Sequence, residues 1–203
     1  MERRRALMID SNDYVDLGLP SDLLWAKCNI GASTPEEAGL YFAWGDPTGY
    51  AAGSGHSFSE ANYNATVVNG TYIKDIATDI TPTSGFDAAR ENLGGKWRMP
   101  TLMEAHELDD NTNHVWTTIN GVNGFKFISK TDSNKWIFLP AFSHFEGMSL
   151  YNNNNSAYEI LLTGLADNGN SATRLIGNPT GLLWVYYTIK RYYGLPIRPV
   201  RDR

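Results

Sequence analysis

From Tyr151 to Arg203 the chain sets large aromatic and aliphatic residues into short segments broken by turn residues. That pattern restricts what can precede it. A run of asparagines, Asn152 to Asn155, opens the stretch, and Tyr192-Tyr193-Gly194-Leu195-Pro196-Ile197-Arg198-Pro199-Val200-Arg201 closes it. The closing segment predicts a final strand with Leu195, Ile197 and Val200 facing a core. A strand needs a partner, so earlier segments must return to meet it. Between the asparagines and the ending, bulky side chains stand where a plain surface would be polar. That is where function is expected.

The chain has 203 residues, with 42% apolar and 19% charged residues, which suits one large domain with its own core. With 19 glycines and 9 prolines it reads as loop-rich rather than helical. The net charge of −5 argues against nucleic acid as a partner. Cys28 is the only cysteine, so neither an internal disulfide nor a thiolate metal site can form within one chain. Met1-Glu2-Arg3-Arg4-Arg5 is followed by only a short apolar run, too short for a signal-peptide core, and no run is long enough to span a membrane. Residues 1–13 are expected to be a flexible or assembly-joining segment, and residues 14–203 the folded domain.

Local signals divide that domain into early helices and late strands. Tyr14–Leu17 and Leu23–Ala26 are short strand candidates. Thr34-Pro35-Glu36-Glu37 predicts a short helix limited by Gly39, and Tyr41–Trp44 a buried strand. Residues 46–82 read as a long surface loop with a strand at Tyr72–Ile76. Ser84 is expected to cap a helix ending at Gly94, and Thr101-Leu102-Met103-Glu104 is a capping box for a helix to about Leu108. Val115–Ile119 and Phe125–Ile128 alternate around Asn-Gly pairs, as hairpin strands do. Trp136–Leu139, Tyr158–Leu162, Ala172–Ile176, Leu182–Thr188 and Leu195–Val200 complete the strands, giving one α+β domain.

Five groups of residues then point to a family. They are Tyr14–Ser21, Leu24–Ala32, Tyr41–Gly45, Gly94–Thr101 with Ile137–Ala141, and the Arg191–Arg201 ending. Together they resemble a domain common in gut Bacteroidetes and their phages, of C-type lectin fold in the version shared with formylglycine-generating enzymes. That fold also houses the variable proteins of diversity-generating retroelements, including phage tail-tip receptor-binding proteins. Relatives carry Trp-Ser-Ser-Thr where this chain has Ile160-Leu161-Leu162-Thr163. The resemblance implies a variable binding face between Tyr151 and Arg191. Side chains there would be exchanged at little cost, within roughly 0.5 kcal/mol each, while Leu175, Val185, Ile197 and Val200 hold the interior.

The candidate chemistries separate on residue types. The formylglycine-generating relatives use two cysteines with copper, and Cys28 alone cannot supply that pair. His56, His106, His114 and His144 are scattered without metal-ligand spacing, and Glu104 with Glu107 suits a solvated helix face. Calcium-dependent lectins need a carboxylate before a Pro-Asn or Pro-Asp; here Gly177 precedes Asn178-Pro179-Thr180. No cofactor and no metal are therefore expected. A binding face fits better, because aromatic and arginine side chains anchor interfaces. The expected ligand-binding residues are Tyr158, Glu159, Leu161, Arg174, Ile176, Asn178, Trp184, Tyr186, Tyr187, Thr188 and Lys190, with Trp184, Tyr186 and Thr188 as one outward register. The function expected is a non-enzymatic receptor-binding protein at a phage tail tip, assembled in the bacterial cytoplasm into the virion. It would be trimeric, in contact with other tail proteins and with a host cell-surface protein or glycan, but not with nucleic acid or a membrane interior. The alternatives are a bacterial cell-surface or pilus-like adhesion module, and an enzyme of the formylglycine-generating type that uses other residues.

Overall fold

The computed structural model describes residues 13–151, 158–166, 169–180 and 183–203, with the side chains of residues 183–187 outside that description. Short helices and antiparallel strands alternate in the first half, and strands fill the second, giving a strand-rich α+β architecture. The frame is a four-stranded sheet in the order Tyr14–Asp16, Leu24–Ala26, Val200–Arg201, Trp97–Arg98. Val200 lies between Trp25 and Arg98, so the end of the chain is clamped between two early strands.

Two three-stranded meanders pack beside this frame. The middle one joins Thr112–Ile119, Val122–Ser129 and Trp136–Pro140 in unbroken register. Its first turn is Asn120-Gly121 with φ of 48° and 84°, the left-handed pair that a two-residue hairpin requires. The late meander joins Tyr158–Ala166, Ser171–Gly177 and Leu183–Lys190. It lies between two core clusters. Tyr158, Ile160, Leu162 and Leu175 join Trp25, Phe125 and Val200, while Leu161, Ala172 and Ile189 join Phe42, Trp44, Met99 and Ile197. Successive residues of a strand point to opposite faces, so these memberships show that both faces are covered. Leu175, Ile197 and Val200 are interior as expected. Val185 falls outside the described side chains.

Several elements differ from expectation for local reasons. At Thr34 the Glu37 carboxylate accepts from the Ser33 and Thr34 amides, yet the backbone makes only a turn. Gly39 at φ 71° stops propagation before it offsets nucleation. The buried strand expected over Tyr41–Trp44 is regular only at Tyr41–Phe42, which pairs with Leu195–Pro196. The 46–82 region contains a helix Glu60–Ala65, a hairpin of Val67–Val68 with Thr71–Tyr72, and a 3₁₀ turn at Ile73–Asp75. Helix Ala88–Leu93 is capped by Asp87, because Ser84 instead closes an earlier turn onto Thr81 and Phe86. The Thr101–Glu104 capping box forms and starts helix Leu102–Asn111. The closing strand splits into Leu195–Pro196 and Val200–Arg201, with the fully buried Arg198 between them.

Candidate functional site

A small hairpin, Phe145–Glu146 with Ser149–Leu150, forms where no element was expected. Gly147 at φ 61° makes its turn. Backbone bonds hold it from two sides: Phe58 exchanges both hydrogen bonds with Gly147 at 2.8 and 2.9 Å, and Phe145 exchanges both with Gly194 at 2.8 and 3.0 Å. Gly194 is required here, since a Cβ would meet the Phe58 ring at 2.6 Å. The hairpin thus stands on fixed backbone while presenting Met148, Leu150 and the following Tyr151, which are 66%, 39% and 52% exposed.

Behind the hairpin, His144 lies between two tyrosine rings. Its centroid is 4.9 Å from Tyr151 at 11° and 4.9 Å from Tyr193 at 9°. The Tyr151 amide donates to the His144 carbonyl at 2.8 Å, which fixes the stack to the backbone. The imidazole Nδ1 is 2.9 Å from the Glu159 carboxylate, and Arg174 donates to the same oxygen at 2.5 Å. Ser143 Oγ reaches the other carboxylate oxygen at 3.5 Å. An ionised carboxylate only accepts, so Nδ1–H is the donor and the ring is held in one orientation. Glu159 is 3% exposed and meets all three partners, so its carboxylate orients the stack. Burial, followed by the nearby Glu146 carboxylate, pushes the Tyr193 hydroxyl up to about 12, so it remains a neutral hydrogen-bonding group.

Of the residues expected to form the site, the structure brings Glu159 and Arg174 together, as the buried base of this stack. Tyr158 and Leu161 are corrected: they are interior, at 0% and 1% exposure, because the first late strand is covered on both faces. Ile176 and Thr188 are half-buried and Lys190 is exposed. Asn178 is half-buried, and its side chain closes a turn by accepting from the Thr180 amide and hydroxyl at 3.0 and 2.7 Å. The side chains of Trp184, Tyr186 and Tyr187 lie outside the described residues. Backbone register sets Trp184 across from Ile176, Tyr187 across from Arg174 and Thr188 across from Thr173, with one extra residue between the first two pairs. That β-bulge falls in the stretch of the last strand that holds Trp184 and Tyr186. Asn152–Asn155 also lie outside the described residues.

His144, Met148, Leu150, Tyr151 and Tyr193 were missed as a group. The available signal was Gly147 between the two short segments Phe145-Glu146 and Ser149-Leu150, just after Pro140 ends a strand. An apolar cleft of about 380 Å³ lies between Tyr14–Asp16 and Trp136–Phe138. None of the expected site residues lines it. Among the described residues, no group of three His, Cys, Asp or Glu side chains could hold a metal ion, and no helix is long and apolar enough to cross a membrane. No known family model, curated protein or solved structure matches the chain.

Proposed function

We propose that this is a non-enzymatic binding domain of C-type lectin fold, displayed at a phage tail tip as a trimer and diversified in its late region by a retroelement. The observation that carries the reading is the exposure of Met148, Leu150 and Tyr151 on a hairpin fixed from both sides. Methionine and tyrosine are enriched in interface cores, and an ordered backbone lowers the entropy lost on binding. The fold assignment is supported by the meeting of the motif segments around the last strand. Trp25 and Arg98 flank Val200, Phe42 pairs Leu195, and Arg198 donates to Ala26, Lys27, Asn29 and Phe138. Many weak sites on a trimeric tail would add by avidity.

The test is binding of the fluorescently labelled protein to intact gut Bacteroidetes cells. The double variant Met148→Ser/Tyr151→Ala should lose about tenfold or more in apparent affinity, a typical cost for an interface anchor. Its melting temperature should fall only slightly, since Met148 is 66% exposed and Tyr151, at 52%, gives up one stacking contact with His144. Equal cell binding by variant and parent would overturn the proposed face. An adenine-divergent near-copy of the gene's 3′ end beside a reverse transcriptase would support diversification, whereas neighbouring pilin or lipoprotein genes would favour an adhesion module.

A further inference from the structure

At the end of the late meander where Ser171 pairs Lys190, a polar pocket of about 210 Å³ opens. Its lining includes Glu60, Tyr63, Lys74, Lys190, Arg191 and Tyr192. Arg191 is 4% exposed. Its guanidinium donates to the carbonyls of Gly169 at 2.6 Å, Ile73 at 2.7 Å and Lys74 at 3.3 Å, and sits 4.4 Å over the Trp44 ring. Its Nε–H is buried with no hydrogen-bond partner among the described residues. Neutral carbonyls satisfy donors but bring no countercharge, so a buried guanidinium held this way leaves net positive potential. Lys190 and Lys74 add to it. Lys74 also meets Asp75 at 2.5 Å, an exposed pair that water and ions screen. Glu60 is the one acid in the lining among the described residues.

We propose that this pocket binds the carboxylate of an acidic sugar, a uronic or sialic acid. The cationic lining supplies the charge partner, with Lys190 as its exposed ammonium. Asn64 and Asn170 line the same space and present amides suited to sugar hydroxyls, and the Tyr63 and Tyr192 rings suit its apolar edge. Tyr192 packs edge-to-face on Tyr193, at 5.0 Å and 90°, so the pocket adjoins the stacked rings behind the hairpin. A glycan seated in the pocket could therefore extend toward the face assigned above, but the pocket's chemistry does not depend on that assignment.

Calorimetric titration with glucuronate, glucose and inorganic sulfate tests the proposal. Glucuronate and glucose differ in the carboxylate alone, and sulfate offers charge without a sugar. Glucuronate should bind at least about tenfold more tightly than glucose and than sulfate, and Lys190→Glu should weaken it by about tenfold or more. Lys190 is exposed, so this variant keeps the fold, and an unchanged melting temperature verifies it. Glucose binding as well as glucuronate, or Lys190→Glu binding as well as the parent, overturns the proposal. Sulfate binding as well as glucuronate also overturns it, by reducing the pocket to a site for bare anions. Because the hairpin variant and Lys190→Glu alter different residues, either reading can fail alone.

Discussion

Buried charge in this protein is handled in two ways. The Glu159 carboxylate meets Arg174 and His144, whereas Asp46 is 5% exposed and accepts a hydrogen bond from the Thr48 amide at 2.8 Å. Burial raises the Asp46 carboxyl above its ordinary value, with the Thr48 hydrogen bonds and His56 only partly opposing it. A carboxyl raised on folding favours the folded state most when protonated, and that contribution is lost as pH rises through the folded pKa. Asp46→Asn keeps an acceptor for Thr48 and removes the charge. The melting temperature of Asp46→Asn minus that of the parent should therefore grow as pH rises from ~4 to ~7. Scans in matched buffers check this, and a flat or falling difference would contradict the desolvation argument. None of this was legible in the chain, because Gly45-Asp46-Pro47 reads as an ordinary turn until Ala43, His56 and Phe58 come beside it.

Among the elements, the middle meander was the most readable. Its strands alternate and its Asn-Gly turn has a single favoured geometry, so pattern and backbone agree. The two glycines nearest that turn nevertheless have different duties. Gly121 is at φ 84° with open space around it, whereas a Cβ on Gly124 would overlap the Leu139 carbonyl oxygen, the Phe138 ring and the Pro140 backbone. Gly121→Ala should cost about 1 kcal/mol, the penalty of a left-handed residue. Gly124→Ala should cost on the order of 3 kcal/mol, because strand backbone cannot yield as a side chain can. Urea denaturation of both variants distinguishes them, and equal losses would place the constraint in the turn. The helix expected at Thr34 shows the converse. Its capping hydrogen bonds are real, but four residues before Gly39 give too little helix to propagate.

The whole molecule is tied together by one side chain. Arg198 is fully buried between the two halves of the closing strand. It donates to Asn29 Oδ1 at 2.8 Å, Lys27 O at 2.6 Å, Phe138 O at 2.8 Å, Ala26 O at 3.2 Å and Pro35 O at 3.4 Å. These partners come from the early segments and the middle meander, so the guanidinium joins parts of the chain that share no strand. Burial lowers its pKa to about 10, which leaves it charged at neutral pH. Arg198→Met fills much of the volume but strands five acceptors, and should cost on the order of 3–5 kcal/mol. Equilibrium denaturation should show the midpoint falling with the slope retained. An unchanged midpoint would mean that these acceptors are satisfied without the arginine.

Local chemistry in the chain was enough to set the α+β class, the capping box at Thr101, the Asn120-Gly121 turn and the inward places of Leu175, Ile197 and Val200. Each depends on neighbours a few residues away or on a period of two, and both are written in order along the chain. The covered faces of the late meander, the bulge in its last strand and the His144–Glu159–Arg174 base under the hairpin came from packing alone. Strand periodicity marks one apolar face against one polar face. It carries no sign of a second core closing over the face that mixes Leu161 with Glu159 and Thr163, and it cannot show which distant carboxylate a histidine will meet.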